Sequence, residues 1–291
     1  MKYGIDYSSQ RKWIVILYYL NLVYEVNKIM KKDIVAGLGE IGLPILKLIS
    51  KKETAVGYDL NEKLMNKNKF KKFQTVPTSF LHVAIPVTAK FDSNLMTLFK
   101  KLQPECIVIH STISPGTIER VQKKISIPII YSATRGVHKR MLKDIKRYTK
   151  FFAISKNAPR KTWAIQIYSK KMKNYGIKTK QMSKPETLEL AKILCDTSYL
   201  GWLINYSQIT NVIAKTHNVN YDEMWTFSDE IHKILGNRPK MYPGYIGGHC
   251  VIPNLNLINN QTLNLIKEMN TSYIKKIKNT RSINKKYKKN D

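Results

Sequence analysis

The chain has 291 residues, of which 43% are hydrophobic, so it can bury a sizeable core, and its length suggests roughly two domains. A formal net charge of +30 favours anionic partners such as nucleic acid, anionic lipid or small molecules that carry phosphate. The lysines are spread over a chain rich in Ile and Asn, however, which is also typical of compositional bias. Charge alone therefore selects no partner and excludes few functions.

The three cysteines, Cys106, Cys195 and Cys250, cannot all pair with one another, and they form no close-spaced metal-binding pattern. This usage argues against a disulfide framework and against a metal site. It favours reduced thiols in a cytoplasmic protein.

The N-terminal segment 1–29 contains an apolar run at 13–24 that is too short to span a bilayer comfortably. Two basic residues precede the run, as in a signal peptide, but no small-residue cleavage site follows it. We expect an accessory or mis-assigned leader rather than a membrane-surface anchor, and no membrane span.

Short apolar segments alternate with helix-compatible segments from residue 30 onward. This alternation predicts an α/β fold with a doubly wound parallel sheet. The predicted strands lie at 33–39, 54–59, 80–86, 106–112, 127–133, 150–155 and 175–182.

The pattern changes at Ser183, where Pro185 and Glu186 complete a typical helix start. From there to residue 218 the only glycine is Gly201, so one long helix is predicted, and a second is predicted over 221–235. The expected organisation is a sheet domain, a mainly helical second domain and a basic, solvated tail. Their expected bounds are 30–182, 183–272 and 273–291.

The first predicted strand leads into "GLGEIG", which contains Gly37, Gly39 and Gly42. In a dinucleotide-binding unit such glycines serve a tight turn, the approach of a pyrophosphate and helix–strand packing. Asp59 closes the second predicted strand 17 residues after Gly42, near the position that holds an adenosine ribose. A carboxylate there favours NAD, because it would repel the 2′-phosphate of NADP. We therefore predict a Rossmann-like NAD-binding domain.

Two further pairs of polar residues are candidates for the same site. Ser111 and Thr112 stand at the carboxyl end of a predicted strand, where open α/β sheets bind ligands, although segment 110–117 taken alone is an ordinary turn. Lys192 and Asp196 share a helix face. An ordinary ion pair explains their spacing, but a lysine beside a cofactor cleft also often stabilises an oxyanion.

The sequence resembles the UDP-glucose/GDP-mannose dehydrogenase family, whose NAD-dependent members oxidise a nucleotide sugar to its uronic acid. Four segments carry the resemblance in the family's order: "GLGEIG" with Asp59, "STISPGT", residues 185–209, and "YPGYIGGHCVIPN". The last is the most specific. The resemblance covers residues 30 to about 260 and implies a role in polysaccharide biosynthesis. It also implies a short form without the family's C-terminal UDP-binding domain.

The resemblance further implies a mechanism, a homodimer through the central helix and a set of site residues. Cys250 would capture an aldehyde as a thiohemiacetal, water would later release the acid from a thioester, and Lys192 would stabilise the oxyanion. The catalytic candidates are Cys250, Lys192, Asp196, Asn254 and Thr112. The cofactor-binding candidates are Gly37, Gly39, Glu40, Ile41, Gly42, Asp59, Pro86, Ser111 and Thr112. The substrate-binding candidates are Arg135, His138, Tyr242, Gly244, Gly247, Gly248 and His249.

The chain departs from the family's pattern at three positions. Asp196 stands where the family usually has Asn, and Asn254 stands where it usually has Asp. A shared hydrogen-bond network would preserve the net charge of this pair, but independent drift explains it nearly as well. Thr134 stands where many members have a Glu that assists the water step, which puts hydrolysis of the thioester in doubt.

Two alternatives to a nucleotide-sugar dehydrogenase stay open. One is a two-domain dehydrogenase of the 6-phosphogluconate or 3-hydroxyisobutyrate type, which has a catalytic lysine and no cysteine nucleophile. The other is a non-catalytic relic that binds NAD or nucleic acid. Against nucleic acid, the chain shows no basic patch interleaved with aromatic residues, so we expect no specific nucleic-acid partner.

Overall fold

The computed structural model describes residues 30–235 and 243–278. The predictions for the leader 1–29, for Tyr242 and for the tail beyond residue 278 concern residues outside these ranges. Among the helices within these ranges, none is both long and apolar enough to cross a membrane.

A seven-stranded sheet forms the first part of the chain, with the spatial order β2-β1-β3-β4-β5-β6-β7. This arrangement, with helices between the strands and a helical region after them, confirms the predicted α/β, Rossmann-like class. The strands are β1 (Lys32–Ala36), β2 (Ala55–Tyr58), β3 (Thr78–Val83), β4 (Cys106–Ile109), β5 (Ile129–Tyr131), β6 (Lys150–Ile154) and β7 (Thr179–Gln181).

The sheet is parallel except between β5 and β6, which are antiparallel. The sequence did not indicate this one antiparallel pair, because an apolar run does not reveal the direction of its strand. Direction depends on the connection, and segment 132–149 returns to the edge of the sheet from which it left. Lys150, the first residue of β6, therefore lies at the carboxyl edge of β5.

Six α-helices accompany the strands, and five more α-helical segments follow them in the described ranges. The first six are α1 (Gly42–Ile49), α2 (Lys67–Lys72), α3 (Phe91–Leu102), α4 (Thr117–Gln122), α5 (Met141–Arg147) and α6 (Lys161–Asn174). The others are α7 (Pro185–Ala191), α8 (Tyr199–Thr216), α9 (Tyr221–Leu235), α10 (Val251–Leu255) and α11 (Gln261–Lys278).

Two apolar clusters cover the two faces of the sheet. Because side chains alternate along a strand, neighbouring residues enter different clusters. Val35, Val108 and Ile130 lie in one cluster, whereas their predecessors Ile34, Ile107 and Ile129 lie in the other. Burial on both faces explains why these strands read as unbroken apolar runs in the sequence.

The predicted long helix over 183–218 is interrupted by a π-helical segment, Lys192–Ser198, between α7 and α8. The Thr197 hydroxyl donates to the Lys192 carbonyl, 3.2 Å away, across five residues. Sequence periodicity does not reveal such a local widening. π-Helical turns occur frequently at functional sites.

Candidate active site

A cleft of about 620 Å³ opens at the carboxyl ends of β1, β3 and β4. In the sheet order, β2 and β3 lie on opposite sides of β1, so the chain reverses direction across the sheet at this point. Open α/β sheets bind their ligands at such a switch point. The cleft therefore lies where the fold class predicts a ligand.

The glycine turn after β1 forms one wall of the cleft. Gly37 adopts φ +85°, and a Cβ there would lie 2.5 Å from the Ala84 carbonyl oxygen. A Cβ on Gly42 would lie 1.7 Å from the Gly37 carbonyl oxygen, so Gly42 permits α1 to approach the turn. A Cβ on Gly39, in contrast, would meet no atom within 4 Å and would project into open space.

These differences predict distinct effects for the same substitution. Gly42→Ala is expected to destabilise the fold by about 2–4 kcal/mol, because backbone atoms of the turn have to move. Gly39→Ala is expected to keep the stability and to weaken dinucleotide binding, because the methyl group occupies the space that a pyrophosphate needs. Thermal unfolding measures the stability of both variants, and calorimetry measures their affinity for NAD. Equal loss of stability in the two variants would contradict it.

Asp59, at the end of β2, lies in the same wall. One carboxylate oxygen accepts from the Leu38 N–H at 2.6 Å, and the other accepts from the Asn61 N–H at 2.8 Å. A carboxylate offers about four acceptor sites, so two remain for the hydroxyls of a ribose. The glycine turn and Asp59 thus fit the adenosine and diphosphate parts of NAD.

The ends of β3 and β4 complete the floor of the cleft. Pro86, Ser111 and Thr112 all line it. The Ser111 hydroxyl donates to the Ile85 carbonyl at 2.6 Å, which joins the two strand ends.

Lys192 enters the cleft from the π-helical segment and forms an ion pair with Asp196. The lysine side chain is 12% exposed and the aspartate side chain 44%, so the pair lies at the boundary between the cleft and solvent. Lys192 and Asp196 therefore lie on one face of the helical segment, as predicted. Asp196 does not line the cleft itself; it holds the lysine from outside.

Glu189, one turn before Lys192, faces away from the cleft and anchors α7 to the sheet domain. Its carboxylate accepts from the N–H groups of Gly116 (2.6 Å) and Ile118 (3.0 Å). Burial raises the pKa of Glu189, and these two hydrogen bonds oppose that rise. The contact fixes α7, and with it the start of the π-helical segment that carries Lys192, relative to the turn after β4.

The loop that carries Cys250 is held by buried polar side chains of α8 and α11. The Gln208 amide donates to the Gly244 carbonyl at 2.6 Å. The Asn270 side chain accepts from the Ile246 N–H at 2.7 Å and donates to the Ile246 carbonyl at 3.0 Å. These bonds fix the backbone just before the glycines, so the loop presents Cys250 to the cleft at the start of α10.

The Cys250 side chain contacts a histidine that is itself paired with a carboxylate. The Cys250 sulfur lies 3.3 Å from Nε2 of His138, and Nδ1 of the same ring lies 2.6 Å from the Glu40 carboxylate. In the neutral tautomer whose Nδ1–H donates to Glu40, Nε2 is free to accept the thiol proton. The His249 ring stacks on His138 with centroids 6.5 Å apart. The arrangement can generate a thiolate.

Sequence reasoning missed this cluster. It assigned Glu40 to the cofactor and His138 to the substrate, and 112 residues separate His138 from Cys250. The only signals were an acidic residue inside the glycine motif and a histidine four residues after Thr134. Neither signal indicates that His138 contacts Cys250 and Glu40.

No protein-family model and no curated protein sequence matches the chain. Solved structures do match. The UDP-D-ManNAc dehydrogenase from Pyrococcus horikoshii aligns over 85% of this chain and 70% of its own, with TM-score 0.67 and 15% identity. The UDP-N-acetyl-mannosamine dehydrogenase from Staphylococcus aureus aligns over 86% and 70%, with TM-score 0.65 and 18% identity. The 3-hydroxyisobutyrate dehydrogenase from Mycobacterium tuberculosis aligns over 86% and 94%, with TM-score 0.60 and 13% identity. The chain has the fold of these dehydrogenases.

Within this dehydrogenase fold, most of the predicted site residues line one cleft. They are Gly37, Gly39, Glu40, Ile41, Asp59, Pro86, Ser111, Thr112, His138, Lys192, His249, Cys250 and Asn254. Gly42 lies beneath the turn. Gly244, Gly247 and Gly248 shape the loop and do not line the cleft.

Two predicted contacts are not seen in the dehydrogenase fold. Arg135 faces away from the cleft: it donates to the Thr149 carbonyl at 2.8 Å and lies over the Phe151 ring. No hydrogen bond joins Asp196 to Asn254 in the described ranges, since Asp196 pairs with Lys192. The proposed network between the exchanged amide and carboxylate therefore stays a prediction without support from these contacts.

Proposed function

We propose that the protein is an NAD-dependent dehydrogenase that oxidises the primary alcohol of a nucleotide sugar, or of a related sugar, toward the acid through Cys250. One observation carries the proposal: a dinucleotide-type glycine turn, Lys192 and Cys250 line the same cleft. The fold shared with nucleotide-sugar dehydrogenases supports it.

The glycine turn and Asp59 would hold NAD, which when bound supplies the acceptor for hydride. The phosphates would meet the N-terminus of α1, where unpaired N–H groups favour anions. The ends of β3 and β4, with Pro86, Ser111 and Thr112, would complete the cofactor side of the cleft.

The chain's own residues supply the remaining chemistry. His138 accepts the proton of the Cys250 thiol, and Glu40 holds the imidazole in the tautomer that can do so. The thiolate adds to an aldehyde carbon, and Lys192 stabilises the negative charge that develops on the oxygen. Asn254, one turn after Cys250 on α10, lines the cleft and offers an amide to the sugar.

The test counts NADH formed for each nucleotide sugar consumed, in the wild type and in Cys250→Ala, over a panel of nucleotide sugars. Two NADH for each sugar, lost in the variant, is the expected result. One NADH for each sugar, or the same NADH yield in Cys250→Ala as in the wild type, would show that the protein carries out only simple alcohol oxidation. No turnover with intact NAD binding would leave a cofactor-binding relic.

The histidine cluster predicts the reactivity of Cys250 separately from turnover. A thiol of ordinary pKa is only a few per cent thiolate at pH 7, so replacing His138 by phenylalanine is expected to slow alkylation of Cys250 by about 10- to 30-fold. Glu40→Gln is expected to slow it less, because the imidazole remains. Iodoacetamide labelling followed by peptide mass analysis measures the rate. Unchanged labelling in His138→Phe would contradict a role for the histidine.

A second candidate function has its own support. The 3-hydroxyisobutyrate dehydrogenase aligns over 94% of its length, compared with 70% for the nucleotide-sugar enzymes. In that case the protein would oxidise a small hydroxy acid with Lys192 and without a cysteine nucleophile. Turnover of 3-hydroxy acids that survives Cys250→Ala would establish this alternative.

The proposed assembly is a homodimer through α8. The helix exposes a row of apolar side chains, Tyr199, Tyr206, Ile209 and Ile213. A monomeric mass in solution would contradict the dimer. A cytoplasmic location stays part of the same proposal.

A further inference from the structure

Lys150 is a buried amine beside the cleft that the proposed mechanism does not yet use. It is 7% exposed, and its Nζ donates to the Ser132 carbonyl at 3.1 Å and to the Thr134 hydroxyl at 3.2 Å. In the described part of the chain it forms no ion pair with a carboxylate. A buried ammonium group with only two neutral acceptors is poorly stabilised.

The surroundings also disfavour a charge on this amine. Burial, helped by the positive charges of Arg135 and Lys192, lowers the pKa of Lys150 to about 7. Asp144, which lines a small pocket together with Lys150, accepts instead from the Val137 N–H and from Arg140. Tyr148 lines the same small pocket as Lys150. Three further titratable groups contact its neighbours: His110 and Tyr168 contact Ser132, and Lys180 lies over the Phe151 ring.

Thr134 connects this amine to the cleft. It lines the same cavity as Cys250 and Lys192. It also stands where the resemblance places a Glu that assists the water step. The antiparallel β6 brings Lys150 to this edge of the sheet, directly behind Thr134.

We propose that Thr134 and Lys150 together form the base that activates water for release of the acid from Cys250. This inference rests on the proposed function, because it needs an acyl group on the Cys250 sulfur. Thr134 contacts the water, and Lys150 acts through Thr134 as the proton acceptor.

The step balances without an oxidant or a further reactant. Water adds its oxygen to the thioester carbon and gives a proton to the Thr134 oxygen, while the Thr134 hydroxyl proton passes to the neutral Lys150 amine. The carbon–sulfur bond then breaks, and its electron pair leaves with the Cys250 sulfur. The Lys150 proton returns to solvent through the same hydroxyl once the cleft has emptied.

The experiment separates this step from alcohol oxidation by loading the acyl group directly. The full-length protein is treated with p-nitrophenyl acetate in the absence of NAD, and intact mass follows the gain and loss of the acetyl group. The variants are Lys150→Met, Thr134→Val and Thr134→Ser. Cys250→Ala identifies the acylated site, and Lys178→Met is a matched control at an exposed lysine just before β7.

The expected result is unchanged acetylation of Cys250 and a deacetylation that is at least about 10²-fold slower in Lys150→Met and Thr134→Val. Lys178→Met is expected to match the wild type, and Thr134→Ser, which keeps the hydroxyl, is expected to restore most of the rate that Thr134→Val loses. The wild-type rate should rise with pH until the Lys150 amine is neutral, and this rise should be absent in Lys150→Met.

Two results would overturn the inference. If Cys250 becomes acetylated but Lys150→Met or Thr134→Val loses the acetyl group as fast as the wild type, this base is wrong and the proposed function stands. If the wild type shows no acetylation that depends on Cys250, the nucleophile itself fails, and the inference fails with it.

Discussion

Replacing Lys192 by methionine is expected to slow alcohol oxidation by about 10²–10³-fold while leaving NAD affinity almost unchanged. The Lys192 side chain is 12% exposed and lines the cleft together with Cys250. Its charge meets the substrate oxygen only as negative charge develops there, so its loss raises the barrier more than it weakens ground-state binding. Single-turnover NADH formation and NAD calorimetry measure the two quantities.

Two companion variants distinguish charge from geometry. Lys192→Arg keeps the charge but presents a planar guanidinium group, so it is expected to restore little of the rate. Asp196→Asn removes the partner of Lys192 and keeps the lysine, so its effect on the rate should be smaller than that of Lys192→Met. A Lys192→Met enzyme that turns over normally, or one that loses NAD affinity to the same degree as rate, would contradict the assigned role.

Local sequence patterns predicted the sheet domain well. Val35, Val108 and Ile130 lie in one core cluster and their neighbours in the other, because both faces of the sheet are covered, and such strands read as plain apolar runs. The glycine turn was predictable for a similar reason. Its φ of +85° at Gly37 and the tight approach at Gly42 are backbone requirements that only glycine satisfies cheaply.

Three features of the structure are not encoded in local sequence patterns and were not predicted. The direction of β6 follows from how segment 132–149 returns, and no periodicity encodes that return. The π-helical segment at Lys192 is a change of hydrogen-bond register that leaves the apolar spacing almost unaltered. Glu40, His138 and Cys250 come from three elements far apart in the chain, and only packing brings them together.

Exchanging Lys150 for methionine is expected to stabilise the protein by about 2–5 kcal/mol near pH 6, although it removes two hydrogen bonds. Burial lowers the pKa of Lys150 from 10.5 in its ordinary environment to about 7. Below pH 7 the wild type therefore folds with a buried charge that is better solvated in the unfolded chain. Methionine has a similar shape and carries no charge, and the Ser132 carbonyl keeps a contact with His110 Nδ1 at 3.2 Å.

The lowered pKa of Lys150 also determines how the stability difference between Lys150→Met and the wild type depends on pH. Between pH 7 and about pH 10 the unfolded wild type binds one more proton than the folded protein, so wild-type stability rises with pH in this window. The advantage of Lys150→Met should be greatest and constant below pH 7, and it should shrink toward pH 10. Urea unfolding at pH 6, 8 and 10 measures it, with Lys178→Met as the control that should show no such trend.

An equal difference at all three pH values, or a less stable Lys150→Met protein at pH 6, would contradict a neutral buried amine. The expected outcome would also explain why position 150 carries a lysine. A lysine that lowers stability at neutral pH, at a position where methionine packs better, is explained by a function that needs the amine. Stability and deacetylation should then move in opposite directions in the same variant, which a purely structural role for Lys150 does not produce.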